Sequence, residues 1–434
     1  MSRRVVITGM GWVTPLGHDV EAVWKRMLAG ECGIGLHERF DASTFPTTFG
    51  AEVKDFDLAD TLGEDAVAHA SASRNAQFAL AAADRAWTAA GLDRFIRSDL
   101  TRTGIYLGGG EGPIDFDPFA AAAIAGCTND SGEAIELDTI RWAKLAKVVL
   151  NASHEFEQDP HLSAAHLAVR FDAQGPNFNT LTACAASTQA IGEAANILRR
   201  DDADIMISGG THTMLHPLGI TGFNRLTALS KRNDDPATAS RPFDRTRDGF
   251  VLGEGAGIVI LEELEHAKAR GAPILAEVVG YGSTADAFRI TDIHEDGRGS
   301  VAAMRIALET AGLSVADIDY VSAHGTSTEE NDKIETLAIR KVFGDRAKSV
   351  PISSIKGMIG HLIAAAGAVE LITCVLAIRD GMIPPTINYQ NPDVNCDLDY
   401  VPNKARATKV RATLSNSFGF GGQNDTLAIA AYEA

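Results

Sequence analysis

The sequence predicts an α/β fold made of two similar halves, and three observations carry that prediction. Short β-branched runs alternate with Ala-rich stretches of helical period along the whole chain, the pattern of buried strands crossed by helices. Two distant segments share one design: VVITGMGWVT matches AEVVGYGSTA, with Gly9 and Gly11 set against Gly280 and Gly282. Each is followed by an Ala-rich helix ending in AGL, at Gly91 and at Gly312, and then by a strand reaching a turn of small residues. A third match, IGEAANILRRD against AGAVELITCVLAIRD, comes later in the same order. Duplicated strand–helix units that meet face to face put the natural site at their shared boundary, near the C-terminal ends of the strands.

Taken in order, strands are expected at 5–8, 103–107, 205–208, 258–261, 277–279, 320–323, 350–353 and 413–417, where Val, Ile, Thr and Tyr concentrate. Helices are expected at 77–90, 187–200, 301–311, 334–343 and 365–379, from their apolar spacing and Ala content. The halves divide at 1–262 and 263–434, and the first carries an insertion at about 112–160 with an amphipathic helix at 140–150.

Composition narrows the function. Lys and Arg number 39 against 57 Asp and Glu, a net charge of −18, which repels nucleic acid and anionic membrane. Five scattered cysteines, with no CxxC spacing, argue against a disulfide framework or a zinc site and for a reducing compartment. No run of apolar residues is long enough for a membrane span. The opening MSRRVVITGMGWVTPLG reads as a strand and turn rather than a signal peptide. The cytoplasm is the expected location.

Three residues could carry chemistry. Cys184, in NTLTACAASTQA, falls between an extended run and a helix; unpaired N–H groups and the dipole at such a helix start favour a thiolate. Inert packing is the competing role for any single cysteine. His324, in YVSAHGTST, ends a strand, and His361, in SSIKGMIGHL, precedes a helix with Lys356 five residues before it. Neither has a carboxylate at metal-ligand spacing, so no metal is expected. Two neutral imidazoles can donate hydrogen bonds to one developing oxyanion, which suits enolate chemistry at a thioester. The glycines of NSFGFGGQN allow close approach of backbone to ligand, while the absence of a following helix pattern or Walker lysine excludes a phosphate loop.

With these residues in view the chain resembles the β-ketoacyl-[acyl-carrier-protein] synthases of the elongating, Cys-His-His type, and most of all β-ketoacyl synthase II. The resemblance spans essentially the full length through VVITGMGWVTPLG, TACAAST, RPFDRTRDGFVLGEGAG, HGTST, SIKGMIGHLIAAAGAVE, PPTINYQNPD and NSFGFGGQN. It implies a thiolase-like fold, a duplicated α/β/α/β/α arrangement of five layers, in a homodimer, with a heterodimer with a similar chain as the variant. It implies that Cys184 takes an acyl group from an acyl carrier protein and that His324 and His361 stabilise the enolate formed when a malonyl-carrier protein loses its carboxylate. The N–H groups of Cys184 and Phe420 would then form the oxyanion hole, with Phe420 also the gate. Lys356 would pair with Glu335, and Thr326 and Thr328 would hold the pantetheine arm. Glu111 and Phe223 would line the acyl pocket. No cofactor is required, because phosphopantetheine arrives on the carrier.

The chain departs from that family at several places. Glu111 occupies an apolar lining position, the insertion lengthens the stretch before Cys184, and His212 stands where Glu is common. The basic cluster that would dock an acidic carrier is reduced to Arg74, in a helix reading DAVAHASASRN, and Arg225. These departures suggest a specialised lipid, polyene or polyketide synthase. The alternatives are a non-condensing partner subunit of the chain-length-factor kind, which would lack the nucleophilic cysteine, a degradative thiolase, which would carry a second cysteine in its C-terminal turn, and a decarboxylase that does not condense.

Overall fold

Ten strands of the computed structural model, which describes residues 3–433 apart from 113 and 292, form one hydrogen-bonded sheet. They are β1 (Val5–Val13), β2 (Thr103–Gly109), β3 (Asn177–Thr180), β4 (Ile205–His212), β5 (Gly255–Glu263), β6 (Ala276–Ala285), β7 (Tyr320–Ser322), β8 (Ile352–Ser353), β9 (Ala412–Gly419) and β10 (Gln423–Ala430). The order β8-β7-β9-β10-β6-β1-β5-β4-β2-β3 is a mirror of itself about the β6–β1 seam. That seam is narrow, pairing only Val6 with Glu277 and Ile7 with Ala276.

Four helices fill the same duplicated places: α1 (Arg74–Ala89), α2 (Ala186–Arg199), α3 (Arg298–Ala311) and α4 (Ala366–Asp380). The outer pair, α1 and α3, cover β1 with β5 and β6 with β10. Between the half-sheets α2 packs on α4, and each touches strands of both halves. The result is the five-layered α/β/α/β/α arrangement that the resemblance implies. Because α4 is enclosed, its residues from Ala366 to Ala377 are all buried, which is why its sequence is apolar all round rather than striped. β1 and β5 are likewise buried along their full lengths, as expected of strands covered on both faces.

The glycine match has a direct physical cause. A Cβ on Gly9 or Gly11 would lie 2.0 or 2.2 Å from the carbonyl oxygens of Ala86 and Ala82. On Gly280 or Gly282 it would lie 2.1 Å from those of Ala307 and Ala303. Each outer helix therefore rests on bare strand backbone. Both helices stop at the glycines of AGL, Gly91 with φ 70° and Gly312 with φ 65°, the left-handed ending that glycine favours.

All eight expected strands are present, six with longer bounds and two, β7 and β8, with shorter ones, and two strands of the sheet were not anticipated. β3 reads NFNT, too polar to stand out, and lies at the sheet edge with Phe178 and Leu181 half exposed. β10 was hidden by the glycines before it: Gly421 and Gly422, at φ 84° and 72°, turn the chain from β9 into an antiparallel partner. In the insertion a helix runs over Thr139–Val149, capped by Asp138, beside another at Phe116–Gly126.

Candidate active site

Cys184 lies in a single tight turn, Ala183–Ala185, directly before α2. The turn is strained. Ala183 has φ 48°, a left-handed conformation that costs a non-glycine residue roughly 1–3 kcal/mol. The same strain recurs in the other half at Ile363, φ 43°, just ahead of α4. The two turns are counterparts, and only the first carries a thiol. The end of β9 abuts the thiol turn so closely that a Cβ on Gly419 would lie 3.1 Å from the Cys184 nitrogen.

The strained Ile363 has its own use. Its N–H donates to His361 Nδ1 at 3.2 Å, which leaves the ring proton of a neutral His361 on Nε2. That nitrogen lies 3.0 Å from Cys184 Sγ, so His361 is oriented as a donor toward the sulfur and not as a base. His324 packs edge-on to His361 with ring centroids 5.3 Å apart. Ligating atoms of Cys184, His324 and His361 all fall within 4.8 Å of one another, and all three residues are buried.

Lys356 does not pair with Glu335, contrary to expectation. Its ammonium forms a buried ion pair with Glu370 on α4 and donates to the His324 carbonyl at 2.5 Å. Glu335 instead accepts the backbone N–H groups of His324 and Gly325, at 2.8 and 2.7 Å. The His324 turn is thus clamped at its carbonyl by a cation and at its amides by a carboxylate. Glu370 was missed, although a lone carboxylate in the apolar stretch AGAVELITCVLAI had to find a buried cation.

Cys184, His324 and His361 face a cavity of about 380 Å³, also lined by Thr326, Thr328 and Phe420. Thr326 and Thr328 share a hydroxyl–hydroxyl bond of 2.9 Å, and Thr328 also caps the helix Glu329–Phe343. One of the two hydroxyl protons is therefore left for a ligand. Phe223 joins an apolar cluster around Cys184 with Leu215, Ile220, Phe250 and Ile363. Glu111 does not line the cavity: it is exposed beyond the end of β2, although its charge still bears on Cys184. Arg74 is not free for docking, since it bonds Glu254 and the Val53 carbonyl. Arg225 is exposed.

The electrostatics also correct the expectation of a resting thiolate. Burial pushes the Cys184 thiol up to about 12, against the downward pull of the Lys356 charge and of the N–H groups of Phe420 and Cys184. Burial, helped by Lys356, holds His324 and His361 well below the usual histidine range. Thiol and imidazoles are all neutral at rest. Alkylation of Cys184 by iodoacetamide is therefore expected to climb about ten-fold per pH unit from about pH 7 to about pH 9, with no plateau. Peptide mass spectrometry checks it, and a plateau near neutrality would mean that Lys356 and the N–H groups outweigh burial.

Comparison with known proteins agrees with this geometry. Residues 2–267 match the family model described as beta-ketoacyl synthase, N-terminal domain, and residues 275–390 match the corresponding C-terminal domain. The chain is 43% identical over 427 residues to 3-oxoacyl-[acyl-carrier-protein] synthase 2 of Coxiella burnetii, covering 98% of each. Among solved structures it is similar to a type II PKS acyl-carrier protein in complex with its ketosynthase bound to the hexaketide, with TM-score 0.85, 34% identity and 100% of both chains covered. It is similar to the ishigamide ketosynthase/chain length factor at TM-score 0.85 and 33% identity, again over 100% of both chains. With a thiol at a strained strand–helix turn, two neutral imidazoles against it and both family models matched in order, the chain belongs to the β-ketoacyl synthase family.

Proposed function

We propose that this chain is an acyltransferase that condenses an acyl group held on Cys184 with a malonyl-acyl carrier protein, losing carbon dioxide and giving a β-ketoacyl-acyl carrier protein. The observation that carries this reading is the cluster itself: Cys184 Sγ, His361 Nε2 and the His324 ring meet at one cavity. In loading, the Cys184 sulfur attacks the acyl thioester, the bond to the pantetheine sulfur breaks, and the thiol proton ends on that departing sulfur. The neutral resting thiol suits this exchange, since no proton is gained or lost overall.

The malonyl thioester then occupies the cavity. The bond between its α-carbon and the carboxylate carbon breaks, carbon dioxide leaves, and the electron pair moves into an enolate whose oxygen accepts N–H from His361 and His324. A neutral donor is right for a developing anion in a dry site. The enolate carbon attacks the acyl-Cys184 carbonyl, and the tetrahedral oxyanion accepts from the N–H groups of Cys184 and Phe420. Collapse expels the Cys184 thiolate, which takes up one proton from solvent, the proton that the net condensation consumes. Phe420, in the turn between β9 and β10, serves as the gate over the thiol in this reading, supported by its position in the cavity lining. The spare hydroxyl proton of Thr326 and Thr328 serves a pantetheine amide. The reaction calls for no metal and no resident cofactor, because the phosphopantetheine arrives on the partner.

That partner is an acyl carrier protein, as the names of the relative and the ketosynthase complex suggest. With Arg74 committed to Glu254 and a net charge of −18, docking leans on Arg225 and suits a dedicated carrier in fatty acid, specialised lipid, polyene or polyketide synthesis. The exposed edge of β3, with Phe178 and Leu181, suits a homodimer, and a heterodimer with a similar chain would use the same edge. A reducing cytoplasm fits five free cysteines; among the described residues no helix is long and apolar enough to cross a membrane.

Reconstitution with acyl- and malonyl-carrier protein tests the function. The wild type should yield a β-ketoacyl product two carbons longer, and Cys184→Ala none. Carbon dioxide release without a condensed product would instead mark a decarboxylase, and failure of Cys184 to acylate would mark a partner subunit.

A further inference from the structure

His212 ends β4 with an imidazole that the reaction above does not use. It is wholly buried, yet neither Nδ1 nor Nε2 has a hydrogen-bond partner among the described residues. Its seat is built for it: a Cβ on Gly110 would lie 2.0 Å from His212 Nδ1, so only glycine at 110 admits the ring. His361 stands near enough for the His212 charge to bear on it, and His216 is the next charge neighbour outward. Met214 and Leu215, two and three residues after His212 in the chain, belong to the apolar cluster that surrounds Cys184. The ring thus neighbours His361, at the start of the segment that leads into the apolar cluster around Cys184.

An orphaned polar group in such a place costs free energy that a leucine would avoid. Burial holds the imidazole neutral, with its pKa pushed down to about 3, so it offers one N–H donor and one bare nitrogen acceptor. That pair matches a hydroxyl, and its donor half matches a ketone. It offers no counter-charge to a carboxylate. We propose that His212 hydrogen-bonds a hydroxyl or keto oxygen on the acyl chain carried by Cys184, and so selects oxygenated acyl groups over plain hydrocarbon ones. The proposal rests on reading Cys184 as the acyl carrier; the rival source of the same chemistry is a resident water.

The test compares wild type, His212→Leu and His212→Gln on matched acyl-carrier thioesters, unsubstituted or bearing a hydroxyl or keto group at successive carbons. Acyl-Cys184 formation by intact mass and kcat/KM for condensation are the readouts. Wild type should favour at least one oxygenated chain by on the order of ten-fold or more, because a site built to bond an oxygen is left unpaired by the analogue lacking it. His212→Leu should abolish that preference while leaving the unsubstituted chain as good or better, and His212→Gln should restore part of it. No preference at any carbon in wild type, the outcome of a water partner alone, would overturn the proposal. So would an equal loss on every substrate in both variants. A wild type that condenses none of the panel would overturn the condensing reading itself, a separate result.

Discussion

Replacing Lys356 by methionine is expected to abolish measurable condensation and to cost about 3–5 kcal/mol of stability, because it breaks a buried ion pair from one side. Glu370 would be left enclosed without its cation, and the His324 carbonyl without its donor. The charge matters as well as the contacts. Lys356 helps to hold both imidazoles neutral and pulls the Cys184 thiol downward, so its loss raises all three pKa values and weakens both halves of the reaction. A double variant, Lys356→Met with Glu370→Leu, separates the two effects. Removing both charges should return much of the stability, while condensation stays lost because His324 is still unclamped. Denaturant unfolding and product assays check the pair of variants. Recovery of activity in the double variant would show that Lys356 serves stability alone.

The fold was legible because its duplication is enforced by sterics that leave traces in the sequence. Gly9, Gly11, Gly280 and Gly282 are glycine because a helix carbonyl occupies the space of any Cβ, and the AGL endings mark the left-handed stops of both outer helices. The strands that escaped notice are those whose residues answer to something else. β3 is a polar edge, and β10 begins directly after the turn of Gly421 and Gly422. The cluster of Cys184, His324 and His361 was legible as residues at turns, and the motifs suggested roles for them. What the sequence could not convey is which carboxylate meets Lys356. Glu335 and Glu370 are both buried, and only the packing of α4 between the half-sheets decides for Glu370. The resting state of Cys184 was hidden for a similar reason. A helix start favours the thiolate locally, but the enclosure by residues from both halves, Leu215 and Phe250 from one and Ile363 from the other, sets the desolvation that prevails.

His324→Ala and His361→Ala should each lower decarboxylation and condensation by roughly a hundred- to a thousand-fold, the cost of removing one donor from a shared oxyanion. Loading distinguishes them. His324→Ala should still acylate Cys184 at nearly the wild-type rate, because its loss leaves the 3.0 Å contact between His361 Nε2 and Sγ intact. His361→Ala removes that contact and should slow loading too. Intact mass of the acyl-enzyme and release of labelled carbon dioxide give the two rates independently, and a loading defect of equal size in both variants would contradict the assigned division. The pH dependence has a definite sign. Both histidines are held well below their ordinary value of 6.5, so their neutral form, with Ile363 N–H bonded to His361 Nδ1, persists as pH falls through that value. Decarboxylation by the preformed acyl-enzyme should therefore stay level through about pH 6.5 and decline only at lower pH, where the imidazoles begin to protonate.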